Sequence, residues 1–451
     1  MNISLKPMDT MLKSNTRFKH IIFKKLDCCQ VGCTNFPFEI FDRCALHCSN
    51  NVANDKYLPS FGMLFDEYVH KKIESQLEII RSESEDEYEF RSADSAIDDY
   101  YEYLQIAEFI GLHESLRGYL PKIILRIDSI KFPQLKNMDI FSRETCELLF
   151  WIGGVNFFRC SFASIFLNSN INIFYKKCRF INEITIHPFE EKEINNENYR
   201  YTSCKFESNI LITDFKKLKI MFSNVFRNCI FKGNITIENL TIKGSLFKFP
   251  DPLIVIDNKN KNKVNSKVGK INFDEISNCH KFNGIFIKKC IFDSSFKFNG
   301  KPDDYIKRLN SFNFEINRDL FDITIITLKI EDSKFNMKYE IKNTVVQNFE
   351  FKNSNVKGIF DAYKSSFIKA KFHKSIFEEF AAFEYVVFGN KESKNRTDFI
   401  YTTFKDFSNF RNTKFKSGLN FSSANIKQEP NFLNTDINLV GTDRETLRII
   451  K

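Results

Sequence analysis

The chain has 451 residues, of which 43% are hydrophobic and 27% charged; this excludes wholesale disorder, and the length exceeds what one compact core usually organises. Fifty-two Phe against a single Trp favours an elongated repeat array over a set of ordinary compact domains. The net charge of +9 admits nucleic acid or acidic partners, although a Lys-rich surface also keeps a Phe-rich array in solution.

The longest apolar run, 148–158, contains Gly153, Gly154 and Asn156 and is too short to span a bilayer. The first residues, with Lys6, Asp9 and Lys13, lack the apolar core of a secretory signal. A cytoplasmic location without a membrane segment is therefore expected. In that compartment disulfides are rare, so a tight cluster of cysteines points to metal and dispersed cysteines to buried thiols.

Residues 1–55 carry the cluster. Cys28 and Cys33 form a C-x4-C pair, and after ten intervening residues Cys44 and His47 form a C-x2-H pair. Two such pairs can surround one tetrahedral ion with four protein ligands, as structural zinc prefers. The stretch resembles the small treble-type zinc fingers that recur in bacterial proteins, and the match implies Cys28, Cys33, Cys44 and His47 as ligands. Cys29 and Cys48 offer competing C-x3-C spacings. A closed set of four ligands leaves no open position, so the ion would be structural and not catalytic.

Residues 56–150 are expected to form a helical or mixed cap. Met63, Leu64, Val69, Ile73, Leu77 and Ile80 recur at helical spacing, with Ser60 as a candidate N-cap. The acidic run from Glu83 to Glu102 is expected to be a solvated loop. Residues 103–109 suggest a short helix, 123–130 an alternating segment, and 142–152 a helix or a strand.

From 151 to 440 a different rhythm takes over. The pattern C-x-F occurs at Cys160, Cys178, Cys204, Cys229 and Cys290, and Phe231, Ile237, Ile242 and Phe247 follow one another at steps of five or six. From Phe335 the apolar beat continues through Ile341, Val346, Phe351, Val356, Ala362, Phe367, Phe372, Phe377, Ala382 and Val387. A small residue precedes many of these by two positions: Ser333, Thr344, Ser354, Ser365, Ala370 and Ser375. Neither a helix nor a simple strand has a period of five. The pattern resembles the pentapeptide-repeat family, in which a small residue and a Leu or Phe two positions later both point inward. The resemblance implies a mainly β fold, a right-handed quadrilateral β-helix, and it explains the five cysteines of the C-x-F pattern as packing.

Polar interruptions near 250–272, 300–322 and 388–400 are expected to be loops thrown out from the array, the first of them Lys- and Asn-rich and the second with a short helix over 302–310. A last series, Phe404, Phe410, Phe415, Phe421, Ile426, Phe432 and Ile437, leads to 441–451, the start of a helix that either caps the array or continues into further sequence.

No Gly-rich phosphate loop and no paired-His metalloprotease motif occurs, and the seven His are scattered, His373 being expected to face solvent. The expectation is a non-catalytic protein-interaction scaffold with a protein partner and no small-molecule substrate. The alternatives are direct nucleic-acid binding, through the zinc segment and the loop at 258–270, or a DNA mimic that binds a topoisomerase, as family resemblance implies. The basic balance of the chain disfavours mimicry.

Overall fold

The structure, a computed structural model, describes residues 44–48, 57–84, 87–106, 114–134, 141–163, 173–186, 200–213, 225–242, 246–248, 280–300, 323–390 and 396–450. It is mainly β, with parallel strands in stacked sheets. Contacts divide it into two units, one holding the described residues up to Ile123 together with Ser129–Trp151, the other Ile124–Asp128 together with the chain from Ile152 onward.

The first unit contains α1 (Tyr57–Ser82), α2 (Glu87–Ile106), α3 (Glu114–Tyr119) and α4 (Arg143–Trp151). The buried stripe of α1 is Tyr57, Phe61, Phe65, Val69, Ile73 and Leu77, at successive steps of one helical turn. That stripe starts before Ser60, so Ser60 lies in the first turn and does not cap it, and Met63 is turned outward at 72% exposure. Phe61 and Phe65 pack against Phe132 and Phe141 with ring centroids 5.1–6.3 Å apart.

The acidic run is largely helix, not loop. Ala93, Ala96, Ile97 and Tyr100 supply a buried i, i+3, i+4, i+7 face for α2, while Asp98 is exposed and the half-buried Asp94 pairs with Arg81 of α1 at 3.1 Å. The short helix expected from Tyr103 is the end of this same element. Ser142 opens α4: its hydroxyl accepts from the Thr145 backbone N–H at 3.1 Å, an N-cap that settles this segment as helix.

In the second unit the chain passes from sheet to sheet and returns one strand further along each. Gly154–Phe158, Ile173–Lys176, Tyr201–Thr202, Phe226–Arg227 and Phe247–Lys248 follow one another as parallel neighbours in one sheet. Ser161–Phe162, Arg179–Phe180, Lys205–Phe206 and Ile230–Phe231 do the same in a second. Between Ile323 and His373 the return is regular: Glu331 pairs with Lys352 and Lys352 with His373, a repeat of 21 residues.

The five-residue beat marks the inward positions. Ser333, Thr344, Ser354, Ser365, Ala370 and Ser375 are all buried, as are the apolar residues two positions on in each of these lines. Like residues stack across layers, as in Phe180 on Phe206 at 4.9 Å and Phe292 on Phe335 at 4.7 Å. At roughly 25 cal/mol per Å², each fully buried Phe contributes about 2 to 3 kcal/mol. The beat slips after Phe377. A six-residue step makes Phe383 and Phe388 the inward residues, both with no exposed surface, and leaves Val387 only half-buried.

The corners are made by residues of positive φ, among them Arg159, Lys177, Ser203, Asn228, Asp332, Asn353 and Lys374, each directly before a small inward residue. Glycine is needed at close approaches such as Gly418, which has φ +94° and where a Cβ would meet the Gly441 backbone at 2.3 Å.

In the last series, Phe404, Phe410, Phe415 and Phe421 are buried, whereas Ile426, Phe432 and Ile437 are half-buried. The helix foreseen at the end is α5 (Arg444–Ile449), N-capped by Asp443, whose carboxylate accepts from the Thr446 N–H at 3.0 Å. Side chains of this segment also take up backbone donors of the preceding layer. Leu419 N–H donates to Thr442 Oγ1 at 3.2 Å and Phe421 N–H to Thr446 Oγ1 at 2.6 Å, satisfying groups that an open strand edge leaves over.

Candidate functional site

Of the expected zinc ligands, Cys28 and Cys33 lie outside the described residues, as does Cys29. Cys44 and His47 are brought together on one tight turn, closed by His47 N–H donating to the Cys44 carbonyl at 2.9 Å. The Cys44 Sγ and His47 Nδ1 atoms are 3.1 Å apart, and Cys44, His47 and Cys48 are all buried. The Tyr57 hydroxyl donates to the Ala45 carbonyl at 3.0 Å, pinning the turn to the start of α1. Burial, with Cys48 and Cys44 adding to it, raises the Tyr57 phenol far above its ordinary range. Among the described residues, no three His, Cys, Asp or Glu side chains converge on one point.

A second polar cluster lies between α1, α2 and α4 and was not anticipated. His70 Nδ1 is 3.0 Å from the Tyr100 hydroxyl, His70 Nε2 is 3.4 Å from Thr145 Oγ1, and the Ser142 N–H donates to Asp66 Oδ2 at 2.9 Å. Burial lowers the His70 pKa against the opposing pull of Asp66 and Glu144. Every contact joins one helix to another, so the cluster locks the helices together. His373 is half-buried on an outward position in register with Lys352 and Glu331, with Nε2 shielded from water.

Of the dispersed cysteines, Cys160, Cys178, Cys204, Cys229 and Cys290 are buried in the stack, Cys146 is half-buried on α4, and Cys279 lies outside the described residues. The Cys178 thiol donates to the Phe157 carbonyl at 3.4 Å and Cys204 to Tyr175 at 3.3 Å, each reaching into the preceding layer. Burial raises the Cys204 thiol well above its ordinary value and the Cys290 thiol to about 11; at Cys178 burial acts the same way but is outweighed by hydrogen bonds with Cys160 and Cys204, which lower its thiol.

Function must therefore be sought on the outward positions, where parallel register places equivalent side chains in columns. In the early layers one column runs Phe158, Lys176, Thr202, Arg227 and Lys248. Around the corner a second runs Ser161, Arg179, Lys205 and Ile230. Glu207 sits among Arg179, Lys205 and Lys232 at 2.9, 3.0 and 2.7 Å, its side chain 13% exposed. Its partial burial favours the protonated form, but hydrogen bonds from Lys232 and Lys205 and the charge of Arg179 prevail and hold the carboxyl at about 2.

The later layers are more evenly charged. Glu340 contacts Lys338 at 2.8 Å and Lys342 at 3.4 Å and accepts from Asn299 at 2.9 Å, while Asp361 in the next layer contacts the same two lysines at 3.3 and 2.7 Å. Burial again opposes ionisation, and the lysines and Asn299 again overcome it, holding Glu340 at about 2.

The basic segment at 258–270 and the segment expected to be helical at 302–310 lie outside the described residues. No helix among the described residues is long and apolar enough to cross a membrane. Comparison with protein-family models, with curated proteins and with solved structures found no match.

Because Glu207 and Glu340 both ionise near 2 in the fold against an ordinary value of 4.5, they stabilise the native state above pH 4.5, and that contribution fades as the pH falls toward 2. Thermal melts across this window should show stability dropping, with a shallower drop in a variant carrying Glu207→Gln and Glu340→Gln. Parallel curves for the two proteins would contradict the assignment.

Proposed function

We propose that the chain is a non-catalytic binding scaffold and that its stacked sheets form a right-handed quadrilateral β-helix of the pentapeptide-repeat kind. The support for the fold reading is the return of each strand to the same sheet one layer on, with a small and an aromatic residue facing inward on most sides. The support for the function is the division of labour between inside and outside. Inward positions are filled by packing groups, which leaves the outward columns as the variable surface.

Glu350, Lys371 and Asp398 form one such outward column on neighbouring strands. At about 4.8 Å between strands, columns of this kind offer an extended partner a ruled, rigid surface at little entropic cost. We take a protein partner as the primary ligand. A photo-crosslinking residue at Lys369 or Lys371, both exposed, should yield a discrete, saturable protein adduct in extract of the native host. Absence of any adduct from all outward columns would remove the scaffold reading.

We also propose that Cys28, Cys33, Cys44 and His47 hold a structural zinc ion. The Cys44 and His47 donor atoms, 3.1 Å apart, are near the separation of about 3.5 Å that two ligands of one tetrahedral zinc adopt. The purified full chain should carry close to one zinc per molecule, reduced in Cys44→Ser. Metal-free protein that keeps its native melt would overturn this assignment.

A further inference from the structure

We propose that the basic corner of the early layers is a docking face for the sugar-phosphate backbone of a nucleic acid, a ligand beyond the protein partner of the scaffold reading. Arg159, Lys176, Lys177 and Arg179 lie within two adjacent layers and are all exposed, and Arg227 and Lys248 extend the outward column through later layers. The described acids at this corner are already engaged. Asp128 contacts Arg126 at 3.3 Å, and Glu207 is surrounded by Arg179, Lys205 and Lys232.

The Phe158 ring marks the centre of the positive field. Arg126, Arg159 and Lys177 converge on it, at 4.6, 4.7 and 6.0 Å from its centroid. Ring contacts of this type stabilise each cation by about 0.5 to 1 kcal/mol at an exposed site, but they leave three like charges close together. A polyanion lying across the corner relieves that repulsion and releases its own counterions.

Regularity favours nucleic acid over an acidic protein segment. The cations of the first column occupy three of its five layers, Lys176, Arg227 and Lys248, at one or two multiples of a layer spacing of about 4.8 Å, which suits a polymer whose charges recur at a fixed short interval. Base recognition is not built in. The face of Phe158 is covered by cations, and Tyr175 and Tyr201 are buried in the stack, so none of these three rings is offered to a base. Contacts of this kind position a duplex and do not select its sequence.

The test is fluorescence anisotropy of the full chain with a labelled DNA duplex of about 20 base pairs, the equivalent RNA duplex and polyglutamate, at about 50 and about 200 mM salt. The duplexes should bind without sequence preference, with affinity falling steeply as salt rises. Lys176→Gln, Lys177→Gln and Arg227→Gln should each weaken binding about tenfold at low salt and lower the log–log salt slope by about one. Lys369→Gln and Lys371→Gln, in the evenly charged later layers, should leave affinity unchanged, and matching thermal melts establish that every variant is folded. No binding at low salt, equal loss in the control variants, or polyglutamate bound as tightly as either duplex would each overturn the proposal. None of these results touches protein crosslinking at Lys369 and Lys371, so the scaffold reading stands or falls separately.

Discussion

At most of the positive-φ corners among the described residues, a small inward side chain makes hydrogen bonds that tie down the turn. Ser375 donates to the His373 carbonyl at 3.0 Å, bridging back over Lys374, and to the Phe351 carbonyl of the preceding layer at 2.9 Å. Lys374 has φ +51°, a left-handed conformation that costs a residue with a side chain roughly 1 to 2 kcal/mol. The same geometry recurs with Thr344, bonded to Lys342 and Phe298, and with Cys160, bonded to Phe158 and Ile127. One side chain thus offsets the strain of its own corner and ties it to the layer before. Its smallness leaves room for the Phe two positions later to reach the interior.

Because the corners repeat in register, the outer surface inherits the same order, and its chemistry is free to vary from layer to layer. The early layers gather cations around Phe158 and Glu207, while later ones alternate Glu340, Asp361 and their lysines into mutually neutralising ladders. An invariant interior is what lets one fold carry two electrostatic characters. The carboxylates of these clusters are largely covered, so their ion pairs contribute stability as well as surface character. Their arrangement also sets what the surface attracts.

Much of the array was legible from sequence because burial on a five-residue beat leaves a pattern no helix or simple strand can produce. The beat faltered where two apolar residues are adjacent: at Ala382–Phe383 and Val387–Phe388 the larger member takes the interior, and counting alone does not reveal the six-residue step. The acidic stretch misled for a related reason, since Ala93 and Ala96 are too weakly apolar to stand out among carboxylates and leave Ile97 as an isolated aliphatic signal. The corner residues were missed altogether, although Asn at 343, 353, 412 and 434, each before a small residue, is the available signal for left-handed backbone. The basic corner was invisible because Arg159, Lys176 and Arg227 meet only through parallel pairing across tens of residues. The expected zinc ligands were half legible in structural terms, since only Cys44 and His47 fall within the described chain.

The most direct measurement of whether corner hydrogen bonding governs the stack is equilibrium unfolding of Ser375→Ala and Ser375→Cys beside the parent. Ser375 is fully buried, and Cys fills the equivalent position at Cys160, Cys178, Cys204, Cys229 and Cys290. Ser375→Ala removes the hydroxyl proton shared between the Phe351 and His373 carbonyls, the latter still accepting from the Asn353 N–H at 2.9 Å, and should lose about 0.5 to 1.5 kcal/mol, whereas Ser375→Cys, which keeps a donor, should lose clearly less. Equal losses in the two variants, or an Ala variant as stable as the parent, would contradict the account.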